Sequence, residues 1–147
     1  METSRVEEWF ERGVEALGHD QVYLARSCFE HVARVNQHPA ASSYLALCQA
    51  KTRGKFSDAI ALARESIARE PHNPLLYQNL GRIYQLAGMR MDAVEVLREG
   101  VRRGAGEEAV AELNRIGTRK QPPFRRLHRN HPLNKYVGKL LARLRLR

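Results

Sequence analysis

An all-α solenoid of three stacked helix–turn–helix repeats, followed by a solvating helix and a C-terminal amphipathic basic helix, is the architecture this 147-residue sequence predicts. Three observations point there. Ala25, Ala59 and Ala93 recur at intervals of 34 residues. Each is followed four residues later by Phe29, Ala63 or Leu97, and preceded sixteen residues earlier by Trp9, Ser43 or Tyr77. Between breaks at Gly18, Gly54, Gly88 and Gly104 the apolar residues follow helical spacing. A fixed period of this length marks units that cannot bury their own apolar face and must stack on one another.

Charge divides the chain more sharply than hydropathy does. Residues 1–117 carry 15 basic against 16 acidic side chains, whereas residues 118–147 carry ten basic side chains and no acid. The net charge of +9 therefore describes a tail and not the repeats. Cys28 and Cys48 sit inside apolar helical patterns without the CxxC spacing of a metal or redox site, which reads as buried thiols in a reducing compartment. The start, with acids alternating around Trp9 and Phe10, does not resemble a signal peptide, and no apolar run approaches the ~18 residues of a membrane span. The expectation is a cytoplasmic protein.

Taken in order, the first repeat pairs a helix near Ser4–Leu17 with one near Gln21–Val35, broken at Gly18-His19-Asp20, where Asp20 is expected to cap the second helix. Trp9, Gly13 and Ala16 share one face of the first, and Leu24, Cys28, Phe29 and Val32 one face of the second. The second repeat opens at Pro39, stops at Gly54, and resumes after Phe56 with Ser57 as the expected cap. Ile60, Ala63 and Ile67 carry it to Pro71. The third opens with Asn73-Pro74, a cap followed by a first-turn proline, and turns at Gly88. Gly13 and Gly81 offer notches for large side chains on the paired helices. Glu107–Ile116, with Val110, Leu113 and Ile116 on its apolar side, is the expected solvating helix. We divide the chain at 4–117, repeats plus solvating helix, and 118–147, a basic proline-containing linker with the amphipathic helix.

The third unit reads Tyr77-x-x-Leu80-Gly81-x-x-Tyr84 and then Ala93-x-x-x-Leu97. This resembles the tetratricopeptide repeat, whose pattern is W-x2-L-G-x2-Y, A-x3-F, P. The first unit keeps Trp9, Gly13, Ala25 and Phe29 but has Arg12 and Ala16 where Leu and Tyr are usual. The second departs throughout its first helix (Ser43, Ala46, Leu47, Ala50) and keeps Ala59 and Pro71. The resemblance covers about residues 5–105. It implies a concave face, lined by the first helices, that holds a peptide or another protein.

No catalytic constellation, cofactor motif or metal-ligand spacing is present: H-E-x-x-H, a glycine-rich phosphate loop and a nucleophile motif are all missing. The function expected is a non-catalytic adaptor. The resemblance places Phe10, Tyr44 and Gln78 on the concave face, with Val14, Cys48 and Arg82 a turn on and Lys51 and Gln85 beyond. That face would be apolar and aromatic in two repeats and positive in the third. Packing against neighbours is the competing reading of Phe10, Val14 and Cys48. Where some relatives clamp a terminal carboxylate with Lys, Asn and Arg, this sequence has mostly Phe10, Val14, Leu45 and Leu75, which favours an apolar or amphipathic helical ligand.

The tail begins with Pro122 and Pro123, which favour an extended path, and Pro132 can open a helix. Leu133, Tyr136, Val137, Leu140, Leu141 and Leu144 form an amphipathic stripe beside Lys135, Lys139 and Arg143. Three readings compete. The stripe packs on the repeats, or the basic helix lies on an anionic membrane surface. In the third, Arg125, Arg126, Arg129, Lys135, Lys139 and Arg143 contact nucleic-acid phosphates, with Phe124, His128 or Tyr136 stacking on bases. Polyanion binding through this tail is the alternative function, and a tail-exchanged homodimer or an acidic protein partner is also compatible with it.

Overall fold

The structure is a computed structural model that describes residues 2–117 and 132–143. Among these, every regular element is helical: α1 (Glu2–Gly18), α2 (Val22–Asn36), α3 (Pro39–Arg53), α4 (Phe56–Arg69), α5 (Pro74–Leu86), α6 (Arg90–Arg102), α7 (Glu107–Gly117) and α8 (Pro132–Arg143). The chain divides into two units, Met1–Ile116 and Gly117–Arg147. Arg125, Arg126, Arg129, Phe124, His128, the Pro122-Pro123 path and Leu144 lie outside the described residues, as do the side chains of Leu133, Lys135 and Leu141.

Turn chemistry sets the hairpins. Gly54, Gly88 and Gly104 take positive φ of 61°, 74° and 95°, closing α3, α5 and α6 with a backbone that L side chains resist. Asn73 caps α5 through its side-chain oxygen, which accepts from the Leu75 amide at 3.1 Å, with Pro74 in the first turn. Two expected caps are corrected. Asp20 does not cap α2; it adopts a positive φ of 57° beyond the end of α1, and Gln21 stands at the N-cap without a side-chain bond. Ser57 does not cap α4; the N-cap is Lys55, two residues earlier, and the helix begins at Phe56. The short Gly54-Lys55 linker leaves no room for a later start once Phe56 packs on the core.

The repeat register is visible in the packing. Ala25, Ala59 and Ala93 are each fully buried. A Cβ added to Gly13 would stand 2.8 Å from the Phe29 ring, and one added to Gly81 would stand 2.6 Å from Leu97 Cγ. Both glycines are therefore notches already filled by the paired helix. The middle hairpin reverses the arrangement. Leu47 stands where Gly13 and Gly81 do, Ala63 where Phe29 and Leu97 do, and both are buried in one cluster.

Two clusters form the core of the first unit. One gathers Val6, Ala16, Phe29, Val32, Tyr44 and Cys48 across α1, α2 and α3. The other runs from Leu47 and Ala63 through Leu80, Ile83 and Leu97 to Ile116, so that α7 covers the end of the seam. Leu24 and Val110, expected on apolar faces, are exposed; Cys28 and Val32 carry the α2 face, and Ala109, Leu113 and Ile116 carry that of α7. No helix among the described residues is long and apolar enough to cross a membrane.

Candidate peptide-binding face

The first helices α1, α3 and α5 present the residues that the repeat register singles out. Phe10 is half-buried and meets Phe29 and Tyr44 edge-on, both at 5.8 Å between ring centroids. Tyr44 is itself buried and stacks on Phe29 at 4.8 Å with the rings nearly parallel. His38 adds its ring 5.4 Å from Phe10. These rings tie α1, α2 and α3 into one aromatic block, and each offset pair contributes beyond its buried area. One turn on, Val14 is exposed and Cys48 is fully buried.

Burial pushes the Cys48 thiol up to about 12, although Lys51 and Arg26 pull it down; Glu30 raises it further. The unfolded thiol ionises near its ordinary 9.0, so the unfolded chain loses this proton first as pH rises. The contribution is complete below pH 9 and disappears as pH climbs through 12. In Cys48→Ala, stability measured by urea unfolding from pH 9 to 12 should fall less steeply, by up to about 1.4 kcal/mol per pH unit. An unchanged slope would place the thiol in water.

The positive charge expected of the third repeat is present at Arg82 but is paired within the chain. Arg82 donates through Nε to Glu112 Oε1 at 2.8 Å and through Nη2 to Glu108 Oε1 at 2.7 Å. Both carboxylates come from α7, one turn apart, so the covering helix supplies two acids to the one arginine. Tyr44 feels the same group: burial raises its phenol most, Arg82 lowers it and Glu108 raises it. Gln78 is buried with Nε2 unpartnered, and Gln85 is half-buried. Lys51 is exposed, with its ammonium 3.1 Å from the Asp20 carboxylate, a surface pair of small energetic weight.

Phe10, Tyr44 and Cys48 are thus gathered on the first cluster, and Arg82 is gathered with α7, while Val14 and Lys51 remain open. Glu108 and Glu112 were missed in the sequence. Their signal was the i, i+4 spacing of acids on α7, whose facing partner the sequence does not name. On the second-helix side, a crevice of about 360 Å³ is lined by Arg64, Ile67, Tyr84, Asp92, Glu95 and Val96 among others. Arg64 already donates to the Tyr84 hydroxyl there at 2.6 Å. Among the described residues no group of three or more His, Cys, Asp or Glu could hold a metal ion.

Residues 50–116 match the tetratricopeptide repeat family model. No curated protein matches the chain. Several solved structures share its fold. The first tetratricopeptide domain of human RPAP3 superposes with a TM-score of 0.63 at 16% identity, covering 76% of this chain and 89% of that one. The Sgt2 domain from Aspergillus fumigatus gives 0.63 at 13%, covering 89% and 93%. The first such domain of Spaghetti (RPAP3), bound to the HSP90 peptide SRMEEVD, gives 0.60 at 16%, covering 78% and 91%. At these identities the likeness speaks for the fold. With its three hairpins in 34-residue register, its glycine notches filled from the paired helices and residues 50–116 matched by the family model, the chain has the fold of the tetratricopeptide repeat proteins.

Proposed function

We propose that the protein is a non-catalytic adaptor whose first-helix face takes up an apolar or amphipathic helical segment of another protein. The observation that carries this reading is the pairing of Arg82 with Glu108 and Glu112 beside an aromatic block that leaves Val14 open and Phe10 half-open. The relative solved with SRMEEVD binds a peptide rich in carboxylates. An acidic ligand here would have to displace two carboxylates already at 2.7 and 2.8 Å from the guanidinium. An apolar helix meets no such competition, and each well-buried anchor contributes about 1.5–3 kcal/mol.

A peptide-display selection against the full chain, with labelled SRMEEVD titrated in parallel, tests this. Selected peptides should repeat apolar residues at i, i+3 and i+4, and Val14→Glu should weaken them at least about tenfold, or 1.4 kcal/mol. SRMEEVD should show no saturable binding at micromolar concentrations. Selection of acidic carboxyl-terminal peptides, or indifference of the selected peptides to Val14→Glu, would reject the proposal.

A further inference from the structure

We infer that α8 is an interfacial helix that lies on an anionic lipid surface, a role separate from the proposed adaptor face. Its described side chains carry two opposite chemistries at once. Tyr136 is 70% and Leu140 56% exposed, one turn apart, and Lys139 and Arg143 are exposed, also one turn apart. Single exposed apolar side chains are ordinary on a soluble helix, as at Tyr23; α8 instead shows two a turn apart beside two cations a turn apart. The surrounding residues 118–147 supply ten cations and no acid.

Candidate anionic partners differ in what they offer the apolar side chains. A nucleic acid would satisfy the cations and could stack on Tyr136, but gives Leu140 and the stripe at 133, 137, 141 and 144 no apolar medium. An acidic protein groove would cover the stripe, yet it presents charge only along its own walls, while the cations here are spread from Arg119 to Arg147. An anionic bilayer interface is a charged sheet with an apolar layer beneath, and answers both. Tyr136 would sit at headgroup depth and Leu140 at the acyl boundary, and the long stems of Lys139 and Arg143 would reach the phosphates. The twelve-residue α8 lies along such a surface without crossing it. One weak apolar anchor combined with a polybasic stretch is the combination that gives stable peripheral binding.

Co-sedimentation of the full chain with phosphatidylcholine vesicles, and with vesicles in which about 30% is phosphatidylglycerol, tests this against retention on a single-stranded RNA homopolymer at matched salt. Binding should require the anionic lipid and weaken as salt rises. The double substitution Lys139→Glu/Arg143→Glu should lower it by roughly twenty-five-fold or more, about fivefold per cation removed. Leu140→Ser should lower vesicle binding about tenfold while leaving any RNA retention as it was, because only the bilayer gives this side chain an apolar medium. All three positions are exposed, so an unchanged melting curve is expected for both variants. Equal sedimentation of the serine variant and the parent, equal binding to neutral and anionic vesicles, binding to RNA without binding to vesicles, or no vesicle binding at all would each overturn the inference.

Discussion

Phe29→Ala is expected to cost about 3–5 kcal/mol, the largest loss from truncating any single side chain in the first hairpin. Phe29 is fully buried, fills the notch at Gly13 and supports the stacked face of Tyr44 and the edge of Phe10. Removing the ring leaves a cavity that α1 cannot close, since Phe29 is what fills the space beside the glycine. Urea unfolding measures the cost, and Tyr23→Ala is the control. Tyr23 is 75% exposed on the same helix, so its loss should stay within about 0.5 kcal/mol. The phenol of Tyr44 gives a second readout. Burial raises it above the ordinary tyrosine value, so admitting water beside it should bring its titration back toward that value. The sign also matters for stability: a raised phenol stabilises the fold at neutral pH and stops doing so as pH rises through its folded pKa. A cost below about 1.5 kcal/mol with an unmoved Tyr44 titration would mean that the aromatic block does not hold the first-helix face together.

Much of this architecture is legible in the sequence because solenoid packing is local. Helix pairs of one repeat touch through residues a fixed number of positions apart, so Ala25, Ala59 and Ala93 announce both the period and the buried seam. The same logic finds the Asn73-Pro74 start of α5 and the closing glycines, whose conformations depend on neighbouring backbone alone. Caps at Asp20 and Ser57 were misplaced because the linker length, and not the preference of the side chain, decides which residue stands at the boundary. The charge state of the face was hidden for a different reason. Arg82 meets Glu108 and Glu112 across 26 and 30 residues, beyond the reach of helical periodicity, and a free cation cannot be told from a paired one by counting. Leu24 and Val110 fall on apolar stripes in the sequence yet are exposed, because a stripe wider than the contacting neighbour leaves its edge in water.

The middle hairpin is where sequence and packing most usefully disagree, and it yields the second large expected effect. Read against the family pattern, Ser43, Ala46 and Leu47 look like a degraded first helix. Read as a pair, Leu47 and Ala63 carry the same large–small complement as Gly81 and Leu97 with the partners exchanged. Leu47→Gly should therefore cost about 3–6 kcal/mol, from the cavity and from glycine inside a helix. Ala63→Leu should cost about 1–3 kcal/mol by overpacking a fully buried site. The double variant restores the arrangement of the outer hairpins, so it should recover at least about 2 kcal/mol of the summed losses. The measurement is a double-mutant cycle by urea unfolding. Additivity within about 0.5 kcal/mol would show that the two positions share no space, and the repeat register would then fail at the hairpin that joins the aromatic block of α1–α3 to the Arg82 end of the face. Strong coupling would show instead that the repeat conserves the volume between its two helices, whichever helix supplies it, which is why Tyr44 and Cys48 stay in line with Gln78 and Arg82 across a unit that keeps so little of the family's pattern.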